Sequence, residues 1–255
     1  MYNRIPFLLK TLKKKIFNNN MYNKGYILVY ARVNSLNYLI IKSLHNVYIE
    51  NISLKSIEKI HTPFGTKGKI INPPDLRPIL IITIWDALCL LWMCYEKNIT
   101  NESLIEDLRN LAVKFKLMEA LCNLPTTTNL TISEDCFMFG ASICIGIPKH
   151  KLTRKNIQEN NASAASARVD VIPSIKGSTH VEMPPGSICG HPWGNCSEAT
   201  PWEALRGEDC SVELNSLTIT LKDLEEKEIC YKCNEVAKTM KSMGVAKVVP
   251  MHLFP

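Results

Sequence analysis

The amino-acid sequence predicts an α/β protein, preceded by a mainly helical N-terminal region. In the C-terminal part, residues 199–205 have the pattern of a short helix, and residues 211–221 alternate like a strand. Residues 234–243 again have helical spacing, and the run 245–249 predicts a further strand. The fold class depends on this alternation of helices and strands.

Two apolar segments predict the helical N-terminal region. Residues 78–94 are strongly apolar, but they are shorter than the roughly 20 residues of a membrane span and carry Asp86 at their centre. They therefore favour a buried helix, and we expect no membrane span. Residues 104–121 place apolar side chains at helical spacing, and Ser103 and Glu106 have the spacing of a capping box.

Changes in composition divide the chain into three parts. Residues 63–78 contain several prolines and glycines and are interpreted as a loop, and the polar run 149–166 predicts a boundary near residue 150. The parts are a basic, Asn-rich segment without a structural assignment (1–65), the helical N-terminal region (66–150) and the domain that carries the candidate site (151–255).

Strand patterns add detail to the last part. Residues 167–175 and 179–183 predict two strands of a hairpin, joined by a turn at 176–178. In the strand at 211–221, Val212 and Leu214 share one face. The later apolar residues, Leu217, Ile219 and Leu221, would keep the same period after a slip near 215–216.

Composition narrows the class of protein. With 255 residues, 46% hydrophobic and 21% charged, the chain can bury a globular core. Its ten cysteines are too sparse for a disulfide framework, and no secretory signal is evident, so we expect an intracellular protein, cytoplasmic or nuclear. The net charge of +6 includes basic groups at 10–15 and 151–155, which either are solvated surface or contact a polyanion.

Three cysteines and one glutamate have the spacing of a catalytic zinc site. Cys196 lies at the start of one predicted helix, and Cys230 and Cys233 lie at the start of another. A catalytic zinc keeps three protein ligands and leaves its fourth position for water. The three thiolates would supply the ligands, and Glu198 would lie beside the water and move its protons.

Other residues near this pattern admit alternatives. His180 and Glu182 also form a His-x-Glu pair, but prolines directly after them prevent the helix that such a pair should open. Cys189 or His191 could add a fourth ligand and close the site. Trp193 is a candidate stacking surface for a base. Trp202 and Cys210 are predicted to be buried.

The order Cys-x-Glu and then Cys-x-x-Cys resembles the zinc-dependent cytidine and nucleic-acid deaminase-like superfamily. The resemblance covers about residues 165–250 and implies a three-layer α/β/α core with a mixed sheet, which begins with a hairpin before the Cys-x-Glu helix. The superfamily usually has a fifth strand after a further helix, whereas residues 250–255 alone follow the predicted strand 245–249, so we expect a core that is short or is completed by the N-terminal region. It also often has Pro before the Cys-x-x-Cys, where this chain has Ile229.

The resemblance implies a Zn²⁺ cofactor and hydrolytic deamination of a cytosine or adenine base. The substrate would be a nucleobase, a nucleoside or a nucleic acid, with Glu198 as the proton shuttle. A non-catalytic zinc-binding interaction module with the same ligands is the first alternative. A thiol-redox protein that uses Cys230 and Cys233 is the second. The choice of base and the oligomeric state stay open.

Overall fold

The computed structural model describes residues 67–72, 76–93, 100–116, 119, 123–134, 136–145, 154–183, 190–208 and 212–253. The helices are α1 (Ile84–Met93), α2 (Asn101–Lys116), α3 (Arg154–Val171), α4 (Pro173–Ser178), α5 (Ala199–Leu205) and α6 (Tyr231–Ser242). The strands are β1 (Lys69–Ile71), β2 (Ile79–Ile81), β3 (Thr127–Ile132), β4 (Phe137–Ala141), β5 (Glu213–Thr220) and β6 (Lys247–Pro250). The unassigned segment 1–65 lies outside the described residues.

The principal sheet has four strands in the order β4-β3-β5-β6. β3 pairs antiparallel with β4 and with β5, whereas β5 and β6 are parallel. The prediction of an α/β chain with a mixed sheet is therefore confirmed. Two strands of this sheet come from each side of residue 150, and the predicted helical region 66–150 contains strands β1 to β4 besides two helices.

The loop predicted at 63–78 contains a strand. β1 pairs antiparallel with β2 in a separate two-stranded sheet. The apolar stretch 78–94 is divided between β2 and the ten-residue helix α1. Within the described part of the chain, no helix is both long enough and apolar enough to cross a membrane.

Helices pack against both faces of the principal sheet. On one face, strand residues such as Leu130 and Leu217 join a core with Leu108 and Phe115 of α2. On the other face, Leu214 packs with the core residues of α5 and α6. β5 pairs with β3 residue by residue, so the slip predicted near 215–216 is wrong. Because both faces are buried, apolar residues of either parity are accommodated in one regular strand.

The hairpin predicted at 167–175 and 179–183 is wrong, because these residues belong to α3, α4 and the turn after them. Ala164, Ala165, Arg168 and Ile172 are buried, and their spacing places them on one face of a helix. Alanine has the highest helix propensity, and Pro173 occupies the first turn of α4, where proline is favoured. The hairpin that the chain does form is β3–β4.

The residues that cap the first two helices differ from the capping box predicted from the sequence. At the start of α2, Thr100 and Ser103 exchange hydrogen bonds between backbone N–H groups and side-chain hydroxyls, both at 3.2 Å. At the start of α1, the backbone N–H of Asp86 donates to Thr83 Oγ1, and Asp86 Oδ2 accepts from the N–H of Thr83. The capping boxes are therefore Thr100/Ser103 and Thr83/Asp86 rather than Ser103/Glu106.

Arg168 and Asp86 form an ion pair within the protein core. Arg168 Nη2 lies 2.6 Å from Asp86 Oδ1, and the side chains are 0% and 3% exposed. The guanidinium also donates to the carbonyl oxygens of Ala141, Gly194 and Cys196 at 3.2, 3.2 and 2.9 Å. One side chain of α3 therefore connects α1, the end of β4 and the loop that carries Cys196.

Loss of Arg168 is expected to destabilise the fold strongly. In Arg168→Met the Asp86 carboxylate stays buried without its partner, so the free energy of unfolding should fall by about 3–5 kcal/mol. Urea denaturation followed by circular dichroism measures the change. The matched control is Lys155→Met, which alters an exposed residue of the same helix and should shift stability by no more than about 0.5 kcal/mol.

The double variant Arg168→Met/Asp86→Leu removes both charges. It should recover part of the lost stability, because no unpaired charge is left in the core. A single variant that lost less than about 1 kcal/mol would show that the pair is not a main support of the fold.

Candidate metal centre

The starts of α5 and α6 bring the predicted ligands together. Cys196 lies just before α5, Cys230 is the N-cap residue of α6, and Cys233 follows in the first turn of α6. Cys196 Sγ and Cys230 Sγ are 3.7 Å apart. The Cys230 thiol also accepts from the backbone N–H of Cys233 at 3.5 Å, as a capping side chain does.

Two overlapping groups of potential ligand atoms share Cys196. His191, Cys196 and Cys230 have ligand atoms within 4.8 Å of one another, and so have Cys196, Glu198 and Cys233. Either group could hold a metal ion. The structure therefore brings all four predicted site residues into one cluster and adds His191 to it. That Cys196, Cys230 and Cys233 bind the metal while Glu198 does not stays a prediction.

His191 is held at the edge of the cluster. Its Nε2 and Nδ1 atoms lie 3.9 and 4.0 Å from Cys196 Sγ. The ammonium of Lys232, a residue between the two cysteines of α6, donates to the carbonyl oxygen of His191. Lys232 Nζ is also 5.5 Å from the centre of the Trp193 ring. The Cys-x-x-Cys segment thus fixes the loop before Cys196; Cys189, the other predicted fourth ligand, lies outside the described residues.

Hydrogen bonds among the three thiols shift their pKa values in opposite directions. The pKa of Cys230 is lowered, first by its hydrogen bond with Cys196 and then by that with Cys233. The pKa of Cys196 is raised, chiefly because its proton is held in the hydrogen bond to Cys230. The pKa of Cys233 is raised by its hydrogen bonds to Cys196 and Cys230 and by burial. Among the three thiols, Cys230 is therefore the one that ionises most readily.

Glu198 is buried beside the thiols, and both of its carboxylate oxygens accept hydrogen bonds. Thr218 Oγ1 donates to Glu198 Oε1 at 2.9 Å, and Ser197 Oγ donates to Glu198 Oε2 at 3.1 Å. Ser197 Oγ is in turn 3.1 Å from Thr127 Oγ1. The carboxylate is therefore fixed by hydroxyls from β5 and from the residue before it, and not by a cationic side chain.

A second layer of polar side chains holds these hydroxyls. Asn129 Nδ2 lies within 3.0 Å of Thr218 Oγ1 and 2.9 Å of Ser216 Oγ. Ser216 Oγ also accepts from Trp202 Nε1 at 3.0 Å, and Asn129 Oδ1 accepts from Thr131 Oγ1 at 2.7 Å. These side chains are all buried. Since buried polar groups need partners, the network fixes where α5 sits on the sheet.

Two glycines allow the Cys196 loop to pack closely. Gly194 has a φ of +82°, a left-handed conformation, and a Cβ there would lie 2.4 Å from the carbonyl oxygen of Ala165. A Cβ on Gly140 of β4 would lie 2.2 Å from the carbonyl oxygen of Ser197. Both contacts are far below van der Waals distance, so only glycine fits at these positions.

A cleft of about 290 Å³ opens onto the cluster. Glu198, Cys196, Cys230 and His191 contribute to its wall. Its remaining lining residues are mainly polar, and they are Thr126, Thr127, Ser142, Asn195, Lys227 and Glu228. A small molecule in this cleft would meet both the candidate ligands and the carboxylate.

The other residues considered from the sequence lie elsewhere. His180 and Glu182 are exposed after α4 and belong to neither ligand group, so the His-x-Glu alternative is not supported. They also do not line the cleft. Trp202 is buried in the core, as predicted. Trp193 is half-buried and does not line the cleft, and Cys210 lies outside the described residues.

Several residues that build the site were not predicted from the sequence. Thr218, Ser197 and Asn129 orient the carboxylate, and Arg168 holds the loop carbonyls. A pattern for the first group is present in the sequence, because small polar residues alternate along β3 (Thr127, Asn129, Thr131) and β5 (Ser216, Thr218). This period places them on one face of the sheet, and their partners across the strands confirm it.

No family model, no curated protein and no solved structure matches this chain. The chemistry of the site therefore has to be inferred from its own residues.

The cluster predicts a defined metal content. The purified wild-type protein should contain about one divalent metal ion per chain, and Cys196→Ser should lose it, because Cys196 belongs to both ligand groups. Mass spectrometry of the metals in the purified protein measures this. Cys136→Ser is the matched control, since Cys136 is a half-buried cysteine outside the cluster. Metal kept by Cys196→Ser would exclude this cluster as the binding site.

The raised pKa values of Cys196 and Cys233 predict a dependence on pH. A metal that binds thiolates must displace the protons of Cys196 and Cys233, so zinc binding to chelator-treated protein at pH 7 should release protons. The apparent affinity should therefore rise with pH and fall as the pH is lowered. Calorimetry in buffers of different ionisation enthalpy counts the protons. The variant Cys233→Ser should release about one proton fewer, and equal counts for the two proteins would contradict the assignment.

Proposed function

We propose that this protein is a zinc-dependent hydrolase that deaminates a cytosine or adenine base. The observation that carries the proposal is the buried carboxylate of Glu198, which lies within 4.8 Å of the Cys196 and Cys233 thiols and faces the cleft. A carboxylate there is next to the candidate ligands, and hydroxyl groups rather than cations orient it. This is the arrangement expected of a general acid and base beside a metal.

The donor set fits zinc. Sulfur ligands about 2.3 Å from a tetrahedral zinc lie about 3.8 Å apart, and Cys196 Sγ and Cys230 Sγ are separated by 3.7 Å. Thiolates are soft ligands that favour zinc over magnesium or calcium. Cys196, Cys230 and Cys233 would hold the ion. Zinc, when bound, would supply the Lewis acidity that lowers the pKa of a water molecule toward neutrality.

Glu198 would carry the protons of the reaction. Its carboxylate takes one proton from the attacking water and delivers it to the ring nitrogen next to the carbon that is attacked. A second proton passes by way of Glu198 to the exocyclic amine, which leaves as ammonia while the ring carbon becomes a carbonyl. Thr218 and Ser197 keep the carboxylate oriented during both transfers, because each donates to one of its oxygens.

The order of elements also supports a deaminase-like core. A hairpin (β3–β4) precedes the helix α5 that follows Cys-x-Glu, and β5, the Cys-x-x-Cys helix α6 and the parallel strand β6 come next. Helices cover both faces of this sheet, as a three-layer core requires. Two departures are the helices α3 and α4, which lie between the hairpin and α5, and Ile229 in place of proline before Cys230.

A structural zinc site is the second candidate function. It is favoured by the position of His191, whose ring nitrogens lie 3.9 and 4.0 Å from Cys196 Sγ. With His191 as a fourth ligand the site would be closed, as in non-catalytic zinc modules. His191→Ala separates the candidates: a closed site should lose metal and stability, whereas an open site should keep both. His180→Ala, which alters an exposed histidine, is the control.

The acid and base role of Glu198 makes a specific prediction. Glu198→Gln keeps the size of the side chain and most of its hydrogen bonds, so the protein should stay folded and keep its zinc. The rate of deamination should fall about 10²- to 10⁴-fold, because the glutamine cannot exchange protons. Ammonia release from a panel of bases and nucleosides, together with zinc content, measures both effects.

Glu203→Gln is the matched control for this experiment. Glu203 is a buried glutamate of the same helix, and it pairs with Arg206 rather than facing the cleft. This variant should keep its turnover. Full turnover in Glu198→Gln would show that Glu198 is not the proton carrier, and zinc loss from it would make Glu198 a ligand instead.

A further inference from the structure

The geometry points to a free nucleobase or an unphosphorylated nucleoside as the substrate of this cleft, contacted by Asn195 and Thr126. This inference rests on the proposed function, and it chooses between substrate classes that the sequence leaves open. Three features carry it: the charge of the described cleft wall, the polar groups that this wall presents to a ligand, and the absence of aromatic side chains among the described lining residues.

The charge of the cleft is unfavourable for a phosphate. Lys227 is the single lysine or arginine among the described lining residues, and Glu198 and Glu228 oppose it with two carboxylates. Three thiolates around a divalent zinc add one further negative charge. A filled cleft is therefore net negative, and like charges within a few ångströms repel. Nucleic acids bind where lysine and arginine neutralise their phosphates, and the described residues that line this cleft do not form such a surface.

Asn195 presents hydrogen-bonding groups that the protein does not use. Its backbone is engaged, because the N–H donates to Pro192 and the carbonyl oxygen accepts from Ile143. Its side-chain amide makes no hydrogen bond to another described residue, although it lines the cleft next to Cys196. An amide offers a donor and an acceptor side by side, which matches the donor and acceptor pattern on the edge of a base.

Thr126 provides a second polar contact. Ser142 Oγ accepts from the backbone N–H groups of Thr126 and Thr127 at 2.9 and 3.2 Å. With its acceptor sites occupied, Ser142 donates its own proton to Thr126 Oγ1, which lies 3.1 Å away. The hydroxyl proton of Thr126 is then directed outward from an exposed residue at the cleft. It can donate to a base carbonyl or to a sugar hydroxyl.

The composition of the described cleft wall differs from that of a groove for nucleic acid. A strand of nucleic acid needs a groove that continues along its backbone, usually with aromatic stacking surfaces. In the part of the chain that the structure describes, no tryptophan, tyrosine or phenylalanine lines this cleft.

The first arm of the test compares substrates on the zinc-loaded full chain. Cytosine, cytidine, adenine, adenosine, cytidine monophosphate and single-stranded DNA and RNA oligonucleotides are assayed for base conversion by chromatography. We expect turnover of a base or nucleoside, and at least about tenfold lower kcat/KM for the monophosphate and the oligonucleotides. In Glu228→Gln, the difference between nucleoside and monophosphate should shrink by about threefold, because one repelling charge is removed.

The second arm measures binding without turnover. In the zinc-loaded Glu198→Gln protein, calorimetry with the converted base or nucleoside, or with cytidine and adenosine if none is converted, gives the Kd. Adding Asn195→Ala should raise the Kd about tenfold, the usual effect of losing a hydrogen bond. Asn110→Ala, on α2 at the opposite face of the sheet, is the control and should leave the Kd unchanged.

The outcomes separate the inference from the proposed function. Higher kcat/KM for an oligonucleotide or a monophosphate would overturn the inference and leave the deaminase proposal intact. Absence of turnover for every substrate would contradict the deaminase proposal. In that case, nucleoside binding that weakens in Asn195→Ala would still support the cleft as a nucleoside site. Absence of binding, or a Kd insensitive to Asn195→Ala, would overturn the inference.

Discussion

The buried ion pair between Arg168 and Asp86 connects the parts of the chain that form the site. An isolated charge cannot remain in a protein interior at acceptable cost, so each partner requires the other. Asp86 is fixed by the capping box at the start of α1, and Arg168 extends from α3 to the carbonyl oxygens of Gly194 and Cys196. The backbone that positions the first candidate ligand is therefore set by a charge 28 residues earlier in the chain.

A second constraint comes from the polar stripe on the sheet. A strand face covered by a helix would ordinarily be apolar, but here Asn129, Ser216 and Thr218 are buried beneath α5. Each satisfies its hydrogen bonds through the others, through Trp202 or through Glu198. Buried polar networks are costly when a member is missing and rigid when complete. This one places a carboxylate that hydroxyl groups orient beside three thiols.

The local elements and the candidate site were partly predictable from the sequence, because they depend on neighbouring residues. The helix 199–205, the strand near 211–221 and the spacing of Cys196, Glu198, Cys230 and Cys233 all follow from short patterns. The prediction of a strand at 167–175 was wrong. The apolar residues of this segment alternate as they do in a strand, but the alanines before it favour a helix. The pairing of β3 with both β4 and β5, and the role of Arg168, depend on contacts distant in sequence, which a pattern of residue types does not encode.

The position of His191 decides what the cluster can do. A histidine that completes the coordination of zinc excludes water, and the carboxylate of Glu198 then has no proton to take. A structural site, however, does not require a buried carboxylate with two oriented oxygens, or a polar cleft in which the Asn195 amide has no partner among the described residues. Lys232 donates to the carbonyl oxygen of His191, so the backbone of His191 is fixed while the His191 ring lies at the edge of the cleft. The cost of orienting Glu198 therefore favours the proposed open site, in which His191 would border a substrate rather than replace water.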